Sequence, residues 1–296
     1  MTEKHRKNFV FILIWLLKPC LKDPLILVTI LTLGGSWYAY EQKIARPAMA
    51  YQGVPETQNW QQPQHWFRVL RNQAFMVGYS DLRGNPLWVI YKIKAVAANA
   101  PSYRRPQRFD RDWRTFNPVK HEDFQRSGYD RGHLAPNYAI SRLYGRHAQQ
   151  DTFLMSNISP QKPKLNQKLW QRLEQVEIDY FTHLGREVWV VTGPVFEGST
   201  ERLKNAWNVE IPDAFYKIYA LPNAKGAPQL LAFLIPQNVK GSEPLTRYLT
   251  SVDKIEQLTG LDFFPDLDDG LENRLEAAIE PAPWKLNKVA RLPARY

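Results

Sequence analysis

The sequence has 296 residues but only one cysteine, Cys20, and this scarcity excludes two kinds of site. No disulfide can form within the chain, and no zinc site can be built from several thiolates. Cys20 lies in an apolar N-terminal stretch, which disfavours a catalytic thiol. The chain lacks internal repeats and, with 44% hydrophobic and 13% aromatic residues, it lacks the composition of a disordered protein. We expect one catalytic domain with an extension, or two small domains.

Positive charge is in excess, with a formal net charge of +10. Residues 1–46 hold seven Lys/Arg and three Asp/Glu, and residues 101–150 hold ten Lys/Arg and five Asp/Glu. A local excess of this kind favours a polyanionic partner, although an ordinary solvated basic surface has the same composition. The chemistry of the motifs has to decide between these two interpretations.

Two apolar runs, separated by a charged break, mark the N-terminus. The run 9–17 is too short to span a bilayer, whereas the run 25–40 is close to the lower limit of about 17 residues. The second run carries no charge, ends in Trp37, Tyr38 and Tyr40, and is preceded by more Lys/Arg than follow it. This pattern predicts a transmembrane helix over residues 24–40, within a basic N-terminus and membrane anchor that covers residues 1–46.

The positive-inside rule then places the main domain on the non-cytoplasmic side, which in a bacterium means the inner membrane facing the periplasm. Two alternatives stay open. Small residues between Ala45 and Ala50 suit the cleavage site of a signal peptide. The basic start also permits a mitochondrial targeting and anchoring segment, with the domain in the intermembrane space.

The composition divides the remaining chain into a polar linker (47–65), one domain (66–265) and a C-terminal tail (266–296). Within the domain, apolar runs on both sides of the turn 81–85 predict a hairpin, and three later runs predict buried strands: 187–192, 214–220 and 230–235. A helix is predicted over residues 165–180, because apolar residues recur there at helical spacing. That stripe comprises Leu165, Leu169, Leu173, Val176 and Tyr180.

The stretch from Asp130 to Asn137 places a proton acceptor, cations and oxygen ligands close together. Hydrolysis of a phosphodiester needs an attacking hydroxide, neutralisation of phosphoryl charge and help for the leaving oxygen. His133 is a natural general base near neutral pH, and Asn166 offers a hard oxygen that suits Mg²⁺. At helical spacing Asn166 and Glu174 share one edge of the predicted helix, where Glu174 is placed to order metal-bound water.

Several of these residues also have plainer interpretations. Asn166 suits the N-cap of its helix, Glu174 an ordinary solvated position, and Trp170 packing rather than chemistry. For Asp130 we favour orientation of the motif by hydrogen bonds over metal binding. The other histidines are predicted to be structural or exposed: His5, His65, His121, His147 and His183.

Taken together, Asp130-Arg131-Gly132-His133 and Leu165-Asn166-Gln167, followed by Trp170 and Glu174, resemble the DNA/RNA non-specific endonuclease family, of the Serratia nuclease and endonuclease G type. Three further segments extend the resemblance over roughly residues 66–265: Tyr103–Pro106, Thr192–Phe196 and Phe233–Pro236. The resemblance implies an α+β, ββα-metal nuclease fold with a central antiparallel sheet flanked by helices. It also implies a sugar-non-specific endonuclease whose products carry 5′-phosphate and 3′-hydroxyl ends.

The same resemblance implies the roles of individual residues. His133 would be the general base, Asn166 the direct ligand of one Mg²⁺ (with Mn²⁺ as a substitute), and Glu174 a ligand through water. Arg131 would lie near the phosphate, and one of Arg104 and Arg105 would stabilise the transition state, a choice that the sequence leaves open. DNA and RNA would be bound through the phosphate backbone, and a homodimer is expected. Two rival hypotheses are a membrane-anchored nucleic-acid-binding protein without catalysis and a phosphodiesterase with another substrate.

Overall fold

The computed structural model describes residues 23–185, 187–198, 201–223 and 227–293. The chain divides into two units, Met1–Ala48 and Met49–Tyr296. The strands of this described part are β1 (Glu56–Thr57), β2 (Arg68–Arg71), β3 (Phe75–Ser80), β4 (Asn85–Ile93), β5 (Asp130–His133), β6 (Ile158–Gln161), β7 (Val188–Val195), β8 (Arg202–Leu203), β9 (Ala206–Glu210), β10 (Ala214–Leu221), β11 (Gln229–Pro236), β12 (Leu249–Thr250) and β13 (Leu261–Asp262). The α-helices are α1 (Pro24–Tyr40), α2 (Asn137–Thr152), α3 (Gln171–Asp179), α4 (Val252–Thr259) and α5 (Asp269–Ala277).

Shorter helical segments connect these elements. Two are π-helical, Glu41–Ala45 and Leu165–Trp170. The 3₁₀ turns are Pro47–Met49, Pro63–His65, His121–Phe124, Met155–Asn157, Phe181–His183, Leu245–Tyr248 and Leu286–Lys288.

A seven-stranded sheet with the order β12-β11-β10-β7-β4-β3-β2 forms the centre of the larger unit, and all of its pairs are antiparallel. The predicted hairpin is confirmed, because β3 and β4 pair around the turn with Ser80 opposite Asn85. The three apolar runs predicted as buried strands form β7, β10 and β11. The α+β class with a central antiparallel sheet is therefore confirmed.

Both faces of this sheet are covered, which explains why its central strands β7, β10 and β11 are mostly apolar on both sides. Alternate residues such as Tyr91, Phe215 and Phe233 share one core with α3 and the π-helical segment before it. The residues between them, such as Ile90 and Ile218, share the opposite core with residues of α4. The sheet thus separates a face that carries α3 from a face that carries α4 and α5.

Two predicted boundary regions take part in this unit. Within the predicted linker, β1 pairs with β13, with Glu56 opposite Asp262. Within the predicted tail, α5 forms and Trp284 is buried against Phe181 and Tyr219. The exact domain boundaries stay a prediction.

The prediction of a transmembrane helix over residues 24–40 is wrong. Helix α1 does form there, with Asp23 accepting a hydrogen bond from the Leu25 N–H and with Pro24 in the first turn. It has 17 residues, and at about 1.5 Å per residue it extends about 25 Å, short of a hydrocarbon core of about 30 Å. Among the described residues, no helix combines the length and the apolar character that a bilayer crossing requires. The run 9–17 lies outside the described residues.

Candidate active site

Strands β5 and β6 and the helical segment after them bring the two sequence motifs together. Asp130 pairs with Gln161 and His133 pairs with Ile158, so the first motif forms one strand of an antiparallel pair. A Cβ at Gly132 would lie 2.2 Å from the Gln161 Oε1 and 2.6 Å from its Cγ, so a larger residue there would force the buried Gln161 side chain to move. The chain then enters the helical segment that begins at Leu165. This strand–strand–helix order is the ββα arrangement that the resemblance implied.

A polar cleft of about 480 Å³ opens between these elements. Five of the six predicted site residues line it, and the sixth, Arg104, is exposed but does not line it. The lining residues are Arg105, Arg131, His133, Pro136, Asn137, Tyr138, Asn166, Gln167, Gln171, Glu174 and Gln175. The structure therefore brings together residues as far apart in the chain as Arg105 and Gln175.

Asp130 fixes the orientation of the Asn166 amide. The Asp130 Oδ2 accepts hydrogen bonds from the Asn166 Nδ2 at 3.0 Å and from the Gln167 Nε2 at 2.7 Å. Because the Asn166 amide nitrogen donates to Asp130, the amide oxygen, Oδ1, is the atom that remains to bind a metal ion or another ligand in the cleft. The backbone N–H of Asn166 donates to the Lys162 carbonyl at 2.9 Å, so Asn166 lies inside the helix and its N-cap interpretation is wrong.

The sequence predicted a regular α-helix around Asn166. In the structure this segment is instead π-helical from Leu165 to Trp170. π-Helical turns are rare in proteins, but many of those that do occur lie at functional sites. The predicted apolar stripe is confirmed from Leu165 to Val176, whereas Tyr180 is 43% exposed because α3 ends at Asp179. Trp170 is buried and packs edge-on against Phe215, which confirms its packing role.

The His133 ring stands between two aromatic rings, with centroid distances of 5.3 Å to Phe109 and 5.0 Å to Phe153. Its Nε2 is buried and has no hydrogen-bond partner within the described part of the chain. Because the ring lines the cleft while Nε2 is enclosed, Nδ1 is the nitrogen that can take a proton from the cleft. Burial, and then the charge of Arg105, lower the pKa of His133 to about 3. The imidazole is therefore neutral at pH 7, with one of its two ring nitrogens unprotonated.

Glu174 lines the same cleft from α3. Burial raises the pKa of its carboxyl to about 8, while the charges of Lys217 and Arg105 act in the opposite direction. A cation beside this carboxyl would favour its ionised form. Such a perturbed carboxyl in a polar cleft is a common feature of functional sites.

A buried ion pair lies next to Glu174 and was missed by the sequence analysis. The Lys217 Nζ lies 3.1 Å from the Glu177 Oε2, and both side chains have no solvent exposure. The Tyr91 hydroxyl donates to the Glu177 Oε1 at 3.0 Å, and the Tyr219 hydroxyl donates to the Glu177 Oε2 at 2.9 Å. The signal in the sequence was a lysine in the middle of the otherwise apolar strand β10, since a buried charge requires a partner.

Two arginines present positive charge to the cleft in different ways. The Arg131 Nε and Nη2 both donate to the His121 carbonyl, at 3.0 and 2.6 Å, so this guanidinium is held in place along one edge. Arg105 is exposed, with its guanidinium 5.4 Å from the Phe153 ring centroid, and it lies close enough to lower the pKa of His133. The geometry therefore favours Arg105 over Arg104.

Strands β5 and β6, the helical segment after them and the polar cleft beside them form the arrangement that is expected of a ββα-metal nuclease. The family model for DNA/RNA non-specific endonucleases matches residues 62–270, and the chain belongs to that family. The protein is accordingly an endonuclease, a hydrolase from a family of metal-dependent nucleases.

Individual relatives agree with this assignment. Human mitochondrial endonuclease G is 30% identical over 207 residues, which cover 66% of this chain and 69% of the relative. The nuclease of Serratia marcescens is 33% identical over 150 residues, covering 50% of this chain and 55% of the relative. A crystal structure of the complex of EndoG with EndoGI, described as showing the mechanism of EndoG inhibition, superposes with a TM-score of 0.60 at 25% identity, covering 68% of this chain and 86% of that one. The family and the endonuclease activity predicted from the motifs are therefore confirmed.

Proposed function

We propose that this endonuclease hydrolyses the phosphodiester bonds of both DNA and RNA to 5′-phosphate and 3′-hydroxyl ends, with His133 as the general base. The observation that carries the proposal is the hydrogen bond from the Asn166 Nδ2 to Asp130, in a cleft that also holds a neutral imidazole. The bond leaves the Asn166 Oδ1 as a hard oxygen ligand in the same cleft as His133, a proton acceptor. Metal-assisted hydrolysis requires these two groups.

The residues of the cleft fit Mg²⁺, with Mn²⁺ as a substitute. Asn166 would hold the ion directly through its oriented Oδ1, and Glu174 would hold it through water. A site with one direct protein ligand suits Mg²⁺, which keeps several of its waters. When bound, the ion supplies positive charge against the phosphoryl oxygens.

The chain's own residues then have separate tasks. His133, neutral at pH 7, takes the proton of the attacking water at Nδ1. Arg131 and Arg105 contact the phosphate, Arg131 from its fixed position on the His121 carbonyl and Arg105 from the exposed rim. The bond from water oxygen to phosphorus forms, the bond from phosphorus to the 3′-oxygen breaks, and solvent protonates the leaving oxygen.

The basic residues of segment 101–150 support a polymeric substrate, because several phosphates are neutralised at once on a nucleic acid. Backbone contacts carry no base sequence, which is consistent with action on both DNA and RNA. A phosphodiesterase that prefers a small substrate is the remaining alternative and is an outcome of the test below.

The test incubates the purified full-length protein with plasmid DNA, with RNA and with a small chromogenic phosphodiester, in Mg²⁺, Mn²⁺ or EDTA. We expect cleavage of both polymers with Mg²⁺ or Mn²⁺, none in EDTA, and DNA fragments that a ligase joins without prior phosphorylation. Asn166→Ala should raise the Mg²⁺ concentration needed for half-maximal rate, whereas the exposed Lys164→Ala serves as the matched control on the same helix. Full activity in EDTA, or faster turnover of the small substrate than of the polymers, would contradict the proposal.

We further propose that the enzyme acts outside the cytoplasm, in the periplasm or the mitochondrial intermembrane space, and as a homodimer. A sugar-non-specific nuclease in the cytoplasm would endanger the nucleic acid of its own cell. The two alternatives for the N-terminus, a signal peptide and a mitochondrial targeting segment, both direct a protein out of the cytoplasm. Cell fractionation with a C-terminal tag tests the first statement, and light scattering after gel filtration tests the second. Recovery of the tag with cytoplasmic markers, or a monomeric mass, would contradict them.

A further inference from the structure

Helices α4 and α5 bring three carboxylates together on the face of the central sheet opposite α3. Asp253 and Glu256 lie on α4, Glu276 lies on α5, and the two helices pack against each other. One oxygen from each of the three carboxylates lies within 4.8 Å of the others. Among the described residues this is the one group of three or more such side chains with a spacing that suits a metal ion.

The most deeply buried member of the group has an unpaired oxygen. Glu276 is only 4% exposed, and its Oε1 is buried without a hydrogen-bond partner among the residues that the structure describes. The Oε1 of Glu272, one turn earlier on α5, is in the same condition. An ionised buried oxygen without a partner is costly, so these atoms require a counter-charge or a proton.

No basic side chain supplies that counter-charge. In the described part of the chain, no salt bridge joins these carboxylates to a lysine or arginine, and the Lys254 Nζ on α4 is turned to the Gln257 Oε1 at 3.0 Å. Burial, and then the charges of four other carboxylates, raise the pKa of Glu276 to about 9. Those four are Glu256, Glu272, Asp253 and Asp262.

The position of the group is fixed by the backbone. The Glu256 Oε1 accepts a hydrogen bond from the Phe263 N–H at 2.7 Å, which leaves its second oxygen for another partner. The side chains of Val252 and Ile255 hold the other side of α4 in the core. The carboxylates are thus placed by packed elements rather than by a loop.

We propose that Asp253, Glu256 and Glu276 bind one Ca²⁺ ion, separate from the catalytic cleft, which ties α4 to α5. Ca²⁺ bonds to carboxylate oxygens are about 2.3–2.6 Å long, so oxygens on opposite sides of the ion lie about 5 Å apart. Oxygens that lie within 4.8 Å of one another therefore fit around Ca²⁺, and a group made of protein carboxylates suits Ca²⁺ better than Mg²⁺, which keeps several of its waters. The competing arrangement is a proton shared among the carboxylates.

The test measures thermal unfolding of the full-length Asn166→Ala protein, in which the proposed metal ligand of the cleft is removed, with and without CaCl₂. For a unit of this size, Ca²⁺ at about fifty times its dissociation constant should raise the melting temperature by about 5–9 °C. Mg²⁺ should raise it less. Adding Glu276→Gln should abolish the rise, and the exposed Glu280→Gln, the matched control after α5, should retain it.

Asp253→Asn alters an exposed member of the group and gives a second variant if Glu276→Gln does not fold. It should also reduce the rise, and calorimetric titration of the Asn166→Ala protein should show one Ca²⁺ per chain that Asp253→Asn weakens. Nuclease activity of Glu276→Gln, assayed with Mg²⁺, should equal that of the unsubstituted protein. An unchanged melting temperature in Ca²⁺ would favour the shared proton and overturn the proposal, as would an equal rise in the Glu276→Gln protein. Neither result depends on the role of His133 or Asn166 in catalysis.

Discussion

The buried pair of Lys217 and Glu177 makes a prediction about stability that its surroundings allow us to quantify. At the observed 3.1 Å, two unit charges at an effective dielectric constant of about 20 attract each other by about 5 kcal/mol. Removing one partner of such a pair leaves the other charge buried and costs about 3–5 kcal/mol. We therefore expect Lys217→Met to lower the free energy of unfolding by about 3–5 kcal/mol.

Two further proteins separate the charge from the packing. Lys92 on the neighbouring part of the sheet forms a partly exposed pair with Glu187 at 3.0 Å, and Lys92→Met should cost less than about 1 kcal/mol. The double variant Lys217→Met/Glu177→Gln removes both buried charges and should recover a large part of the loss. Urea unfolding followed by circular dichroism measures all four free energies, provided that the urea dependence of unfolding is unchanged.

A loss for Lys217→Met no larger than the loss for Lys92→Met would show that the buried pair does not stabilise the fold as expected. The expectation is also refuted if the double variant is no more stable than Lys217→Met, because the second substitution removes the charge that the first one leaves buried and unpaired.

Three other predictions follow from the cleft. Because the pKa of His133 is about 3 in the folded protein and about 6.5 in the unfolded chain, its contribution to stability is fully present above pH 6.5 and is lost as the pH falls from 6.5 towards 3. Urea unfolding of His133→Gln should show a pH dependence in this window that is shallower by up to about 1.4 kcal/mol per pH unit, and an unchanged slope would argue against the buried neutral imidazole. Asp130→Ala frees the Asn166 amide and should raise the Mg²⁺ concentration for half-maximal cleavage; an unaltered Mg²⁺ dependence would mean that Asp130 does not orient the ligand. DNA binding should weaken steeply with salt, and Arg105→Glu should flatten that dependence more than Arg104→Glu, whereas equal slopes would remove the preference for Arg105.

The cleft could be predicted from the sequence to the extent that it is built from local patterns. The motif around His133 occupies the four residues of β5. The buried leucines Leu165, Leu169 and Leu173 show which side of the following helix packs into the core, and so which edge carries Asn166 and Glu174. Such patterns can be recognised in the sequence, because residues that face the same side recur every two positions in a strand and every 3.6 positions in a helix.

The parts that were missed depend on distant residues or on small energetic differences. Lys217 and Glu177 lie 40 positions apart and meet only after β10 has joined the sheet and α3 has packed on it. The π-helical turn from Leu165 to Trp170 changes the hydrogen-bond ladder while the same leucines remain buried, so the apolar pattern hardly registers it. The choice between Arg104 and Arg105 is made by an irregular segment, whose path no periodicity describes.

The N-terminal helix shows a different limit of sequence analysis. Its apolar run was near the minimum length for a bilayer, so the outcome depended on where the regular helix ended. It ends at Tyr40, where a π-helical segment that begins with Glu41 follows, and a 17-residue helix is the result.

One comparison tests whether His133 is the general base of this endonuclease. The rate of plasmid cleavage in saturating Mg²⁺ is measured for His133→Ala and for His147→Ala, an exposed histidine outside the cleft, after circular dichroism has shown that both variants are folded. We predict that His133→Ala loses about 10²-fold or more in turnover, the usual range for a general base, while His147→Ala matches the unsubstituted protein. A folded His133→Ala protein that cleaves as fast as His147→Ala would contradict the assignment.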